Sequence, residues 1–156
     1  MKRIHLATSL ALAATLCFSI AQAASDAGFP KGWEGWPVLK EGAIPPKAEP
    51  IPGDLPTIVK ETFKTYNWVN DGKGSAYKIR MNPAHKDGAD GPAAVLELTD
   101  IKALLVTEHL LGEPLYGAWS SDGKDLAEAH PSLAPKVCAA CHSGYGEACV
   151  KGICNH

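Results

Sequence analysis

Cys138-Ala139-Ala140-Cys141-His142 puts two thiols and an imidazole into five consecutive residues. On one helical turn, residues three and four apart share a face, so Cys138 and Cys141 can act on the same planar partner. His142, directly after, can turn a ring nitrogen toward a metal at the centre of that partner. C-x-x-C-H at this spacing is the attachment signature of c-type haem, with two thioethers and one proximal iron ligand. The expected cofactor is one covalently bound haem c, anchored by Cys138 and Cys141 and ligated by His142. Two other chemistries use part of the pattern. A C-x-x-C redox pair would follow a strand in a βαβ pattern, which the sequence lacks. Half of a zinc site would draw on Cys149 and Cys154 as further ligands.

The motif lies late in the chain: 14 residues follow His142, and none is Met. Electron carriers of the commonest kind have the motif near the N-terminus and a Met downstream as sixth ligand, so that design is disfavoured. Met81, His85, His109, His130 and His156 remain as sixth-ligand candidates. Met81 alternates with Ile79 and reads as core. His85 falls in a polar loop, His130 precedes Pro131, and His156 is terminal. His109, in an apolar stretch, is the best of the set. The preferred expectation is a five-coordinate iron with an open distal face. Cys149 and Cys154 enclose four residues. In an oxidising compartment a disulfide between them is expected, with a redox-active pair as the alternative. A second haem would want His directly after Cys154, where Asn155 stands.

The compartment follows from the first residues. Lys2 and Arg3 precede an apolar stretch, Leu6 to Ile20, and Ala21-Gln22-Ala23 fits the small-x-small cleavage pattern. The expectation is a cleavable signal peptide over residues 1–23 and a periplasmic protein. An uncleaved anchor is the alternative, though the stretch falls short of the roughly 18 residues of a bilayer span. Cys17 follows Leu16, where a lipoprotein site would want a small residue. Removing 23 of 156 residues leaves 133, with 13 basic against 17 acidic residues and all four remaining cysteines within the last 19. No basic excess exists for a nucleic-acid footprint, and no membrane span is expected. Folding must rest on the core or on the cofactor.

Residues 24–56 form a Pro-rich arm in which no long regular element survives. Trp33 and Trp36 within it could share one helical turn. Residues 57–156 form the haem-binding domain. Thr57 to Asn70 reads as β-rich, and Asp71-Gly72-Lys73-Gly74 as a turn. Tyr77, Ile79 and Met81 alternate with Lys78 and Arg80 as a half-buried strand requires. Pro83 to Pro92 is a polar loop. Ala93 to Leu111 fits either a helix from Thr99 or Asp100 to Gly112, or two strands, Val95–Leu98 and Ala103–His109. Tyr116 to Trp119 could be a further strand.

Several segments, in order, resemble the cytochrome P-460 family, which includes the cytochrome c′-beta proteins. They are Pro30-Lys31-Gly32-Trp33-Glu34-Gly35-Trp36; Asn67-Trp68-Val69-Asn70 with Ala76-Tyr77; Asp90-Gly91 with Val95, Glu97 and Leu98; and Gly117-Ala118-Trp119 before Asp122-Gly123-Lys124. With the late haem motif, the resemblance spans most of residues 30–142. It implies an α+β, mainly β fold: a small antiparallel sheet with short helices, haem packed against the sheet, and the haem-binding helix near the C-terminus. It favours the two-strand reading of Ala93–Leu111, a five-coordinate iron, and a homodimer. The lysine that cross-links to haem in cytochrome P-460 itself aligns with Leu96, which has no nucleophilic nitrogen. A distal Arg of the enzymatic members would fall near Thr65, beside Lys64. The family's Asp-x-Val-Phe ending is replaced by Glu147-Ala148-Cys149-Val150. The chain is thus most similar to the c′-beta branch, which binds nitric oxide or carbon monoxide. The expected partner is a small diatomic ligand such as nitric oxide. A redox partner protein served by a low-spin haem is one alternative. Oxidation of hydroxylamine or a related nitrogen compound without the cross-link is the other.

Overall fold

The computed structural model describes residues 24–44, 46, 72–86, 88–143, 149–150 and 153–154. Alternation of apolar and polar residues sets most of the architecture. Five strands follow one another in sequence: β1 (Val38–Ile44), β2 (Ser75–Met81), β3 (Gly91–Leu98), β4 (Ala103–Leu110) and β5 (Glu113–Ser120). They pair antiparallel in the order β1-β2-β3-β4-β5, so neighbours in sequence are neighbours in space. One α-helix among the described residues, α1 (Pro135–Ser143), comes after the sheet. Short 3-10 turns occupy Trp33–Gly35 and Pro131–Leu133. The fold is mainly β, as expected.

The apolar stretch at Ala93–Leu111 is two strands, β3 and β4, and not a helix. The Gly112 that could stop a helix instead turns a hairpin. Leu111 and Gly112 have φ of 53° and 85°, the pair of positive values that matches the twist of the flanking strands. The Leu111 N–H donates to Asp90 Oδ1 at 2.6 Å. Between β3 and β4, Asp100 Oδ2 accepts the Ala76 N–H at 2.9 Å and ties that turn to β2. The β-rich reading of Thr57–Asn70 lies outside the described residues, as do Thr65 and Lys64.

Proline spacing in the arm leaves room for one short element, and β1 fits between Pro37 and Pro45 as the edge of the sheet. Residues Val38 to Ala43 are exposed, and Lys40 and Glu41 put charge on that edge, a device that discourages strand addition. At the opposite edge, the Asp26 and Ala27 N–H groups both donate to Tyr116 O at 3.0 Å.

Register divides the sheet into two faces. One carries Arg80, Val95, Val106 and Gly117 in a single cross-strand row. The arm covers this face: Ala27, Trp33 and Trp36 are buried against Val95, Leu104 and Val106, with Phe29, Leu115 and Trp119 at the margin. Trp33 opens the 3-10 turn and Trp36 closes it as C-cap, its N–H donating to Trp33 O, so one turn presents both to the core. Arg80 fastens it, pairing with Glu97 at 2.8 Å and donating to Trp36 O at 2.9 Å and Glu34 O at 3.2 Å. Its guanidinium lies 5.7 Å from the Trp33 ring centre.

The other face carries the rows Met81–Ala94–Thr107–Tyr116, Ile79–Leu96–Leu105–Ala118 and Tyr77–Leu98–Ala103–Ser120. Leu98 and Ala103 are buried there with Ile44, whereas Ile79, Met81, Leu96 and Leu105 are only half-buried.

Candidate functional site

Pro135 opens α1 at a position where its missing N–H costs nothing. The Val137 N–H donates to Ala134 O at 2.8 Å, starting the helical ladder. Exposure along α1 marks its inner face. Pro135 is buried, Cys138 and His142 are half-buried, and Lys136, Val137, Ala139 and Ala140 are exposed. The inward positions are spaced by three and four, one face of a helix. That face meets β5: the His142 and Tyr116 rings lie 5.0 Å apart at 46°. Cys138 and His142 therefore share the helix face turned toward the sheet, and Cys141 lies on the same helix.

These residues fit a c-type haem by their chemistry and by their surroundings. Two thiols and an imidazole are carried on one helix, with Cys138 and His142 on its inner side. The sheet face beyond Tyr116 offers apolar, half-buried side chains at Ile79, Met81, Leu96 and Leu105. A planar apolar macrocycle needs such a surface, and the core alone leaves those four partly uncovered. A thioredoxin-like setting for the pair is absent among the described residues: the helix follows the Pro131–Leu133 turn in an antiparallel sheet. Among the described residues no group of three or more His, Cys, Asp or Glu is arranged to hold a metal ion.

The sixth-ligand candidates separate clearly. His109 is buried at 2% exposure near the end of β4, opposite Gly91 and Pro114. Its Nδ1 lies 3.0 Å from Nε2 of His85, with the rings 5.0 Å apart. The two imidazoles were separate candidates in the sequence and form a pair in the structure. His109 belongs to the same sheet face as Thr107 and Tyr116, two residues on from Thr107 in the strand. Met81 is on that face too, at the far end of the row that ends in Tyr116. His130 is exposed before the 3-10 turn, and His156 lies outside the described residues. Leu96 stands near the middle of the face, paired with Ile79 and Leu105.

Sequence reasoning missed the Arg80–Glu97 clamp. Both residues alternate with apolar neighbours, which marks them as off the opposite face, but pairing them requires the register of β2 against β3. Cys149 and Cys154 sit opposite each other in the two-residue strands β6 (Cys149–Val150) and β7 (Ile153–Cys154).

Comparison with protein-family models, with curated proteins and with solved structures finds no match. Among the described residues no helix is long and apolar enough to cross a membrane.

Proposed function

We propose that this chain is an exported mono-haem c-type cytochrome whose iron is five-coordinate and takes a small diatomic ligand such as nitric oxide. One observation carries the reading: C-x-x-C-H lies on a helix whose inner face, at Cys138 and His142, is turned toward a half-covered apolar sheet face. In this reading Cys138 and Cys141 hold the cofactor by thioethers and His142 is the proximal ligand. Haem iron held by one protein ligand supplies an open coordination position for a small molecule. Tyr116 supports the His142 ring and limits its rotation. Ile79, Leu96 and Leu105 line the apolar side and exclude water from it. The similarity to the cytochrome P-460 family rests on the ordered segments from Pro30 to His142, and Leu96 in place of a lysine favours ligand binding over the cross-linked chemistry.

A second reading has one observation in its favour. The His109 Nδ1 is engaged with His85, and metal-ligating histidines commonly have their second ring nitrogen held in this way. A low-spin electron-transfer haem with His109 as sixth ligand follows from it.

Optical and resonance Raman spectra of the purified ferric and ferrous protein test the proposal. A high-spin five-coordinate ferrous haem that shifts on adding nitric oxide is the expected result. Six-coordinate low-spin spectra in both oxidation states would overturn the open site and favour His109. A mature chain without the mass of one haem would overturn both readings.

A further inference from the structure

We propose that Cys149 and Cys154 form a disulfide across the C-terminal hairpin, and that this pairing keeps both of them from bonding to Cys138 or Cys141. The inference rests on the reading of residues 1–23 as an export signal, because the exported compartment is the one that oxidises thiols.

The backbone register carries the pairing. β6 and β7 run antiparallel with Val150 opposite Ile153 and Cys149 opposite Cys154. Two residues, Lys151 and Gly152, join them, which is the loop length of the tightest hairpins. In such a hairpin the pair flanking the loop exchanges both backbone hydrogen bonds. The next pair outward is therefore of the non-hydrogen-bonded kind, with Cα atoms about 4.5 Å apart. A disulfide needs Cα atoms roughly 4.4–6.8 Å apart. Residues directly opposite in an antiparallel pair also share a face. Cys149 and Cys154 thus occupy a register position that a disulfide can bridge without moving the backbone.

The same register matters for the haem motif. Four thiols fall within residues 138–154, and they allow three complete pairings. Two of the three join Cys138 and Cys141 to the last two cysteines and so remove both thiols needed for thioethers; the third, which contains Cys149–Cys154, leaves Cys138 and Cys141 with only each other. Cys138 belongs to the inner face of α1, whereas Cys149 and Cys154 occupy opposite register positions in a separate hairpin. The short loop between the last two keeps their mutual encounter frequent compared with encounters across longer loops.

The step is thiol–disulfide exchange with a disulfide-bearing protein oxidant. One thiolate of the pair attacks the oxidant's disulfide and forms a mixed disulfide, releasing one oxidant sulfur. The second thiolate displaces the other sulfur. The Cys149–Cys154 bond forms, the oxidant's bond breaks, and the two protons pass to the oxidant's released thiolates. The cysteines lose two electrons and the oxidant gains them.

The test is peptide mapping of the mature protein, alkylated without reduction. Trypsin cuts after Lys136 and Lys151, giving Val137–Lys151 with Cys138, Cys141 and Cys149, and Gly152–His156 with Cys154. The expected result is that the two fragments stay joined until a reductant is added. Fragmentation then assigns the bond to Cys149, and neither Cys149 nor Cys154 carries the alkylating label. Labelled Cys149 and Cys154, or a bond from Cys154 to Cys138 or Cys141, would overturn the proposal. The haem mass on the larger fragment is read separately. Its absence with the bond present would remove the haem reading and leave the disulfide standing. For this guarding role, Cys149→Ser and Cys154→Ser should each lower haem content by leaving one unpaired thiol that can bond to Cys138 or Cys141. The double variant should restore it, and equal haem content in single and double variants would overturn that role.

Discussion

The His142 ring rests against Tyr116, ring centres 5.0 Å apart, so the last residue of the C-x-x-C-H motif is held by the middle of β5. Tyr116 is 5% exposed and its row crosses to Thr107 and Ala94. The helix bearing the motif is thereby indexed to the sheet. Tyr116→Ala removes a buried ring and should cost about 3 kcal/mol in denaturant unfolding. On the proposed haem reading it should also lower haem content in the purified protein, because His142 loses the surface that limits its rotation. Tyr116→Phe keeps the ring and should leave haem content unchanged. Equal haem content in all three proteins would show that the contact does not orient His142.

The pair His85–His109 separates the two coordination readings. His109→Ala removes a buried imidazole and should reduce stability by about 1–3 kcal/mol. With a five-coordinate iron on His142, the ferrous spectrum of this variant should match the parent. A change from low spin to high spin in His109→Ala would instead identify His109 as a ligand. His85→Ala is the companion measurement: it should lower stability through the Nδ1 contact and leave the spin state alone.

Arg80 pairs with Glu97 within the sheet and reaches the arm at two backbone carbonyls and an aromatic face. The Arg80 and Glu97 side chains are only 14% and 17% exposed, so water screens the pair less than it would at the surface. Arg80→Ala strands the Glu97 charge and the Trp36 carbonyl. A loss of about 2 kcal/mol is expected, between the values for exposed and buried pairs. Trp33 and Trp36 should report it as a red shift in fluorescence. A double-mutant cycle with Glu97→Ala should return a coupling of roughly 1 kcal/mol. Zero coupling would make Arg80 a matter of backbone bonding and ring contact alone.

The parts of the structure legible in the sequence were those set by period and spacing. Ile79 and Met81 alternating with Lys78 and Arg80 gave a strand with the right faces. Gly112 and Pro114 were ambiguous because a glycine after an apolar run serves a helix end and a hairpin equally. Only the pairing of β4 with β5 separates those uses, and pairing is a long-range fact. The same reason hid the His85–His109 contact, whose members are 24 residues apart. Cys138 and His142 could be placed on one helix from their spacing. Which side of that helix meets the sheet depends on α1 docking against Tyr116, and no local pattern encodes it.

Gly117 tests whether the arm is an integral cover of the sheet. A Cβ built there would lie 2.7 Å from Ala27 O and 2.9 Å from Trp119 Nε1. Ala27 O is the acceptor of the Trp119 indole N–H at 3.1 Å, and Ala27 itself is 1% exposed. The clash is with backbone, so no rotamer change relieves it; either the arm lifts or β5 shifts. Gly117→Ala should therefore cost about 1–3 kcal/mol, the range for overpacking a fitted core. Hydrogen exchange should place the loss at Asp26 and Ala27, whose N–H groups bond to Tyr116 O. Gly35→Ala is the control. Nothing lies within 4 Å of its built Cβ, and the added methyl stiffens only the unfolded chain, so stability should hold or rise by up to about 1 kcal/mol. Because Tyr116 both receives the arm and supports His142, a lifted arm in Gly117→Ala should also loosen the seat of α1. Lower haem content in Gly117→Ala, with normal content in Gly35→Ala, would show that the two faces of the sheet are coupled through β5. Equal content in both would confine the arm to a purely stabilising role.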